Sequence, residues 1–258
     1  MEFDVATLLL LAFSGLCAGF IDAIAGGGGL ITLPVLLASG VPPAQALGTN
    51  KLQACFGSFS ATSYFLRRGY IDLASACWAV PLTFIGSGLG TLLVQQLDTA
   101  LLTPLLPFLL IGLAIYVLLS PRLGDGDSRR RLVIRAFAFS AGLGIGFYDG
   151  CFGPGTGSFF AIAFVTLAGF NLAKATAHSK LLNFTSNLAA LIGFALGGKV
   201  LWSVGLCMAA RQFVGARLGA RVVIRQGSQL IRPLVVLVGQ TALVPLALTT
   251  SASNHQCF

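Results

Sequence analysis

Four ionisable side chains stand inside long apolar stretches of this 258-residue chain: Asp22, Lys51, Asp149 and Lys180. A charge at the centre of a bilayer costs about 2.5 to 3.5 kcal/mol on insertion scales, so charges kept there are functional candidates. These four recur in equivalent places. Gly19-Phe20-Ile21-Asp22 is followed by Gly26, Gly27, Gly28 and Gly29; Gly146-Phe147-Tyr148-Asp149 is followed by Gly153-Pro154-Gly155-Thr156-Gly157, at an offset of 127 (149 − 22). Ala44, Ala46, Lys51 and Leu52 match Ala173, Ala175, Lys180 and Leu181 at an offset of 129 (180 − 51). Two acid-base couples drawn from these four residues would remove most of the burial penalty.

The glycine runs supply a complementary chemistry. Consecutive glycines lose roughly 1 kcal/mol each against alanine within a helix, so Gly26 to Gly29 are expected to unwind one. Pro154 is expected to do the same in the second copy. A helix restarting after such a break exposes backbone N–H groups and about half a positive charge. Two such ends beside Lys51 and Lys180 would hold a small anion. The candidate binding residues are Gly26, Gly27, Gly28, Gly29, Thr49, Asn50, Lys51, Gln53, Gly153, Gly155, Thr156, Gly157, His178, Lys180, Asn183 and Asn187, with Ser179, Thr185 and Ser186 adding hydroxyls. Asp22 and Asp149 are the candidate coupling groups for a proton. Structural readings stand beside these: glycines that only allow close helix packing, aspartates that only cap the breaks, lysines that snorkel to an interface, and a hydrogen-bonding His178.

Such residues need elements that hold them inside a bilayer. Hydrophobic residues make up 56% of the chain and charged ones 9%, where a soluble domain carries about 25% charged residues. So few solvating groups exclude a soluble enzyme, an extended disordered chain and a nucleic-acid binder as leading readings. Crossing a hydrocarbon core of about 30 Å takes about 20 helical residues. Ten apolar segments emerge, near 5–25, 28–39, 44–66, 75–96, 101–120, 132–152, 155–169, 175–197, 200–218 and 229–248. The second and seventh are short, and each follows a glycine break. The chain therefore reads as an all-α polytopic membrane protein with eight full spans plus two short or broken helices. Residues 1–121 and 132–258 form two repeats, joined by a polar linker over 122–131.

Basic residues orient the segments, since positive loops stay cytoplasmic. Arg67 and Arg68, Arg122 with Arg129 to Arg131, and the Arg217, Arg221 and Arg225 loop agree only if each repeat crosses an odd number of times. That makes the repeats inverted, a common transporter architecture. The alternative treats the short segments as re-entrant and puts the Arg217 to Arg225 loop outside. An acidic start, Glu2 and Asp4, before an apolar run reaching Ala25 fits a retained span better than a signal peptide. Six scattered cysteines without a CxxC pair read as small buried hydrophobes. No cofactor or metal is expected, and nucleotide-loop, HExxH and Gly-x-Ser-x-Gly signatures are missing, so uphill movement would draw on an ion gradient.

Three stretches carry a family resemblance: Ala18 to Gly29, Ala46-Leu47-Gly48-Thr49-Asn50-Lys51, and Gly146 to Gly157. In this order they resemble the signature stretches of the TauE/SafE family of bacterial sulfite-exporter-like membrane proteins, from about Leu10 to Val236. Ala175-Thr176-Ala177-His178-Ser179-Lys180-Leu181-Leu182-Asn183 is most similar to a bacterial branch described as probable membrane transporters. The resemblance implies a multi-pass inner-membrane transporter of seven to nine spans, linked to sulfite, sulfonates and related organosulfur anions. After Gly239 the chain departs from the pattern, with Gln240, Pro245 and a polar tail from Thr249 to Phe258.

The resulting expectation is a secondary-active transporter, an exporter, of a small sulfite-like or sulfonate-like anion, embedded in lipid, with a proton as coupling ion and no nucleic-acid partner; a homo-oligomer is compatible with it. A non-transporting membrane binding or assembly subunit and a passive anion channel are the alternatives.

Overall fold

A computed structural model describes residues 4–97 and 132–226, together with positions 101, 102, 105, 106, 108 and 112. Its elements are all helical: α1 (Val5–Ala25), α2 (Gly28–Ala38), α3 (Pro43–Arg67), α4 (Leu73–Ala76), α5 (Ala79–Gln95), α6 (Ile134–Phe137), a π-helical turn (Ala138–Gly142), α7 (Leu143–Cys151), α8 (Thr156–Thr166), α9 (Leu172–Leu196) and α10 (Trp202–Gln226). Local chemistry sets the ends. Asp4 caps α1 by accepting from the Thr7 N–H at 2.9 Å, and Asn171 caps α9 by accepting from the Lys174 N–H at 2.9 Å. Pro43 opens α3, where its missing N–H costs nothing.

Eight of the ten apolar segments correspond to these helices within a few residues. The linker 122–131 and the segment 229–248 lie outside the described residues, as does 101–120 apart from the six positions named above. One boundary needs correcting. The stretch from Arg217 to Arg225 is the last part of α10 and not a loop. Its Arg, Leu and Ala residues carry the helix on, because such side chains lose little rotamer freedom there. The Arg217 guanidinium then stacks over the Tyr64 ring at 4.9 Å, and Arg68 stacks over the same ring at 5.5 Å.

Helices α1 and α5 have mean hydropathies of 2.1 and 1.6, the latter taken over Leu73–Gln95, and are long and apolar enough to cross a membrane. The radial distribution of side chains agrees with that. Large apolar groups face outward, among them Leu9, Phe13, Ile85, Leu92, Phe139 and Val214, while Lys51, Gln53, Thr83, Ser87, Lys180 and Ser186 have no exposed surface. A bundle that is apolar outside and polar within suits lipid, where polar groups must face other helices. Cys55 and Cys151 are buried as expected, whereas Cys77 and Cys207 are exposed.

Two helix pairs make the broadest contacts, α1 with α10 and α5 with α7. Both rest on glycines spaced four apart. A Cβ at Gly15 would meet the Met208 backbone and one at Gly19 the Gln212 backbone; from the other side Gly215 and Gly219 abut Leu16 and Phe20. In the second pair Gly86 and Gly90 abut Leu143 and Phe147, and Gly146 and Gly150 abut Thr83 and Ser87. Residue numbers rise together across each pair, so both pairs run parallel. Small residues at this spacing let backbones touch, which replaces the hydrophobic drive that lipid does not supply.

A leucine at Gly90 should force α5 and α7 apart and destabilise the detergent-solubilised protein by about 1 to 3 kcal/mol. Gly88, with nothing near its Cβ position, should accept leucine with little change in the same thermal-unfolding measurement.

Candidate functional site

The two breaks differ in length. α1 ends at Gly26, whose φ of 81° only glycine adopts readily, and α2 begins two residues later at Gly28. Gly28 and Gly29 are therefore helical, which corrects the expectation that all four glycines unwind. The cause is Asp22: its Oδ1 accepts from the Gly28 N–H at 3.2 Å and captures the first donor of the new helix. The second break runs from Phe152 to Gly155, and α8 starts at Thr156. Thr156 Oγ1 donates to the Gly153 carbonyl at 2.7 Å.

The breaks lie against each other. A Cβ at Gly157 would come within 2.6 Å of Gly26 Cα, and one at Gly29 within 3.2 Å of Pro154 Cα. Ser158 Oγ donates to the Ala25 carbonyl across the junction.

Both lysines reach this junction and neither snorkels. Lys180 Nζ lies 2.9 Å from Asp22 Oδ2, and Lys51 Nζ lies 2.9 Å from Asp149 Oδ1. Each pair joins an aspartate of one sequence copy to the lysine of the other. Lys51 Nζ also donates to the Asp149 backbone carbonyl. The glycines leave room for both ammonium groups, since a Cβ at Gly153 would stand 2.7 Å from Lys51 Nζ and one at Gly157 2.9 Å from Lys180 Nζ. Asp22 uses both carboxylate oxygens in hydrogen bonds, whereas Oδ1 of Asp149 meets Lys51 as an ion pair and its Oδ2 has no donor among the described residues. An unsatisfied buried polar atom costs about 1 to 3 kcal/mol, more when charged.

Other candidates divide. Asn50 flanks the junction, its Oδ1 accepting from Thr32 Oγ1 at 2.7 Å and from Gln53 Nε2 at 3.0 Å. Asn183 and Asn187 bond each other along α9, one turn beyond Lys180. Thr49 Oγ1 instead accepts from the Leu201 N–H and ties α3 to the start of α10. The Ser179, Thr185 and Ser186 hydroxyls donate to carbonyls of their own helix. His178 stands apart from the junction. Its ring packs against Phe164 and Phe170, its Nε2 accepts from the Asp72 N–H at 3.1 Å, and its Nδ1 lies 2.8 Å from the Lys174 carbonyl. Thr32 and Ser158 belong to the junction but no spacing in the sequence marks them; only their closeness to the glycine breaks does.

The sulfite exporter TauE/SafE family profile matches residues 11–244. The chain belongs to this family. Among relatives, the probable membrane transporter protein YfcA of Escherichia coli K12 is 55% identical over 92% of this chain and 88% of its own length. A probable membrane transporter protein of Haemophilus influenzae is 51% identical over 92% of this chain and 93% of its own. The probable membrane transporter protein YunE of Bacillus subtilis is 26% identical over 84% and 88%. No solved structure matches the chain. As a TauE/SafE member the chain is a membrane protein, which accounts for its apolar exterior and for the cost of leaving any of the four buried charges alone.

Replacing Lys180 by methionine should therefore strand the Asp22 carboxylate and lower stability by about 3 to 5 kcal/mol. The double variant Asp22→Asn, Lys180→Met should recover much of that loss in the same detergent unfolding assay.

Proposed function

We propose that the protein is a secondary-active transporter that exports a small anion of the sulfite or sulfonate class by alternating access of two inverted repeats. The observation that carries this reading is the pair of cross-copy salt bridges at the meeting point of two broken helices. Family membership and the names of the relatives favour transport over catalysis. Lys51 and Lys180 attract the anion, the helix ends at Gly28 and Thr156 bind it together with Asn50, and Asp22 or Asp149 couples a proton.

Helix directions support the inverted orientation. The equivalent helices α3 and α9 run antiparallel, Gly48 lying by Phe194 and Phe59 by Phe184. Arg68 and Arg217 share one tyrosine ring, so the basic ends of α3 and α10 occupy the same side. The re-entrant alternative needs them on opposite sides. Export in this reading is powered by ion and anion gradients, because the chain holds no nucleotide signature.

Purified protein in liposomes should give saturable flux of at least one of sulfite, thiosulfate or a simple sulfonate. Lys51→Ala and Lys180→Ala, checked for monodispersity, should each slow that flux about tenfold or more, where each tenfold corresponds to about 1.4 kcal/mol. Wild-type rates in both variants would remove the lysines from the site, and linear, unsaturable flux would mark a channel.

A further inference from the structure

We infer that Asp149, and not Asp22, is the proton-binding group, and that its protonation opens the anion site by releasing Lys51. This rests on the transport reading and names the coupling step within the same site.

The two aspartates occupy equivalent sequence positions but unequal surroundings. Asp22 is fully engaged: Oδ1 takes the Gly28 N–H and Oδ2 takes Lys180. Asp149 is 1% exposed, its Oδ2 has no donor, and its Oδ1 has only the charge contact with Lys51. The difference follows from the second break. Pro154 has no N–H, and the break is four residues long where the first has two. The new helix therefore begins seven residues beyond Asp149 (156 − 149) but six beyond Asp22 (28 − 22), and no helix-start N–H is brought onto the second carboxylate.

Little else in the vicinity would compete for the proton. α5 and α8 carry no ionisable side chain, and neither does α2. From α3, Lys51 faces Asp149. From α9, Lys180 reaches the junction and is held by Asp22, while Lys174 and His178 lie against Phe170 and the Asp72 turn. On α7 itself Tyr148 donates to the Pro154 carbonyl and Cys151 to the Gly90 carbonyl.

The step is a simple proton addition. A proton from water converts the Asp149 carboxylate to the neutral carboxylic acid. Lys51 loses the counter-ion beside it and keeps only its bond to the Asp149 backbone carbonyl, next to the space that Gly153 leaves free of a side chain. A neutral site becomes singly positive and takes a monoanion. Proton and anion binding then assist each other by the same factor, as linkage requires, so the two travel together. Net movement follows the summed gradients of both.

Infrared difference spectroscopy of the purified full chain, titrated with pH, tests the assignment without any transport assay. A carboxylic-acid band that resists deuterium exchange, unlike the bands of the exposed carboxylates, should grow as pH falls, persist in Asp22→Asn, vanish in Asp149→Asn and shift in Asp149→Glu. The Asp149→Asn, Lys51→Gln double variant guards against loss of folding and should also lack the band. Methanesulfonate, which stays a monoanion throughout, should move the band's midpoint to higher pH, by a factor of at least about fivefold in proton affinity. A band lost in Asp22→Asn but kept in Asp149→Asn, no band at all, or a midpoint unmoved by the anion would overturn the inference. Absence of saturable flux in liposomes would instead sink the transport reading while leaving the band intact.

Discussion

Four charged groups with no more than 7% of their residue surface exposed have to satisfy one another, because lipid offers no partner and they are buried among the helices. Asp22 and Asp149 sit in the last turns of helices that stop short, and Lys51 and Lys180 project from the long helices α3 and α9. An aspartate and a lysine from the same sequence copy do not pair. Only when the breaks of the two copies are brought together does each carboxylate meet an ammonium. Neither copy can bury its own charges, so the ion pairs bind the halves into one bundle, and any arrangement that separates the breaks strands all four groups.

Close backbone approach makes that meeting possible. Glycines four apart on α1, α5, α7 and α10 let these helices pair at contact distance, which fixes where each broken helix ends. The side chains that would otherwise fill the centre point outward to lipid. Dispersion between touching backbones, together with hydroxyls such as Ser87 donating to the Ser186 carbonyl at 2.6 Å, supplies cohesion that apolar burial cannot supply in a membrane.

Much of this was legible in the sequence because charge in an apolar run and glycine in a helix are costly wherever they occur, and the duplication repeated both. The breaks and the possibility of acid-base pairing followed from those costs, and the helices from the lengths of the apolar runs. What escaped depended on geometry between segments. His178 stands two residues before Lys180, and two residues turn a helix by about 200°, nearly to its opposite face, so it faces the Asp72 turn and not the junction. Thr49 is two residues from Lys51 and turns to α10 for the same reason. The true length of each break was hidden as well. It depends on whether a carboxylate reaches the first N–H of the next helix, which Asp22 does and Asp149 does not. The extent of α10 was misread because arginines were taken as loop markers, although helix propensity and stacking on Tyr64 accommodate them.

The paired charges also bear on how the proposed carrier would move. Two neutral ion pairs give no standing attraction for an anion, so the resting site is closed in an electrostatic as well as a steric sense. Both pairs span the contact between the copies, and a tilt that separates the two breaks lengthens both. A ligand shifts such an equilibrium only by binding one state better than the other. An anion that replaces a carboxylate as the partner of a lysine does so: it gains most where the original pair has been loosened. Binding and tilting are thus coupled through the same two ammonium groups.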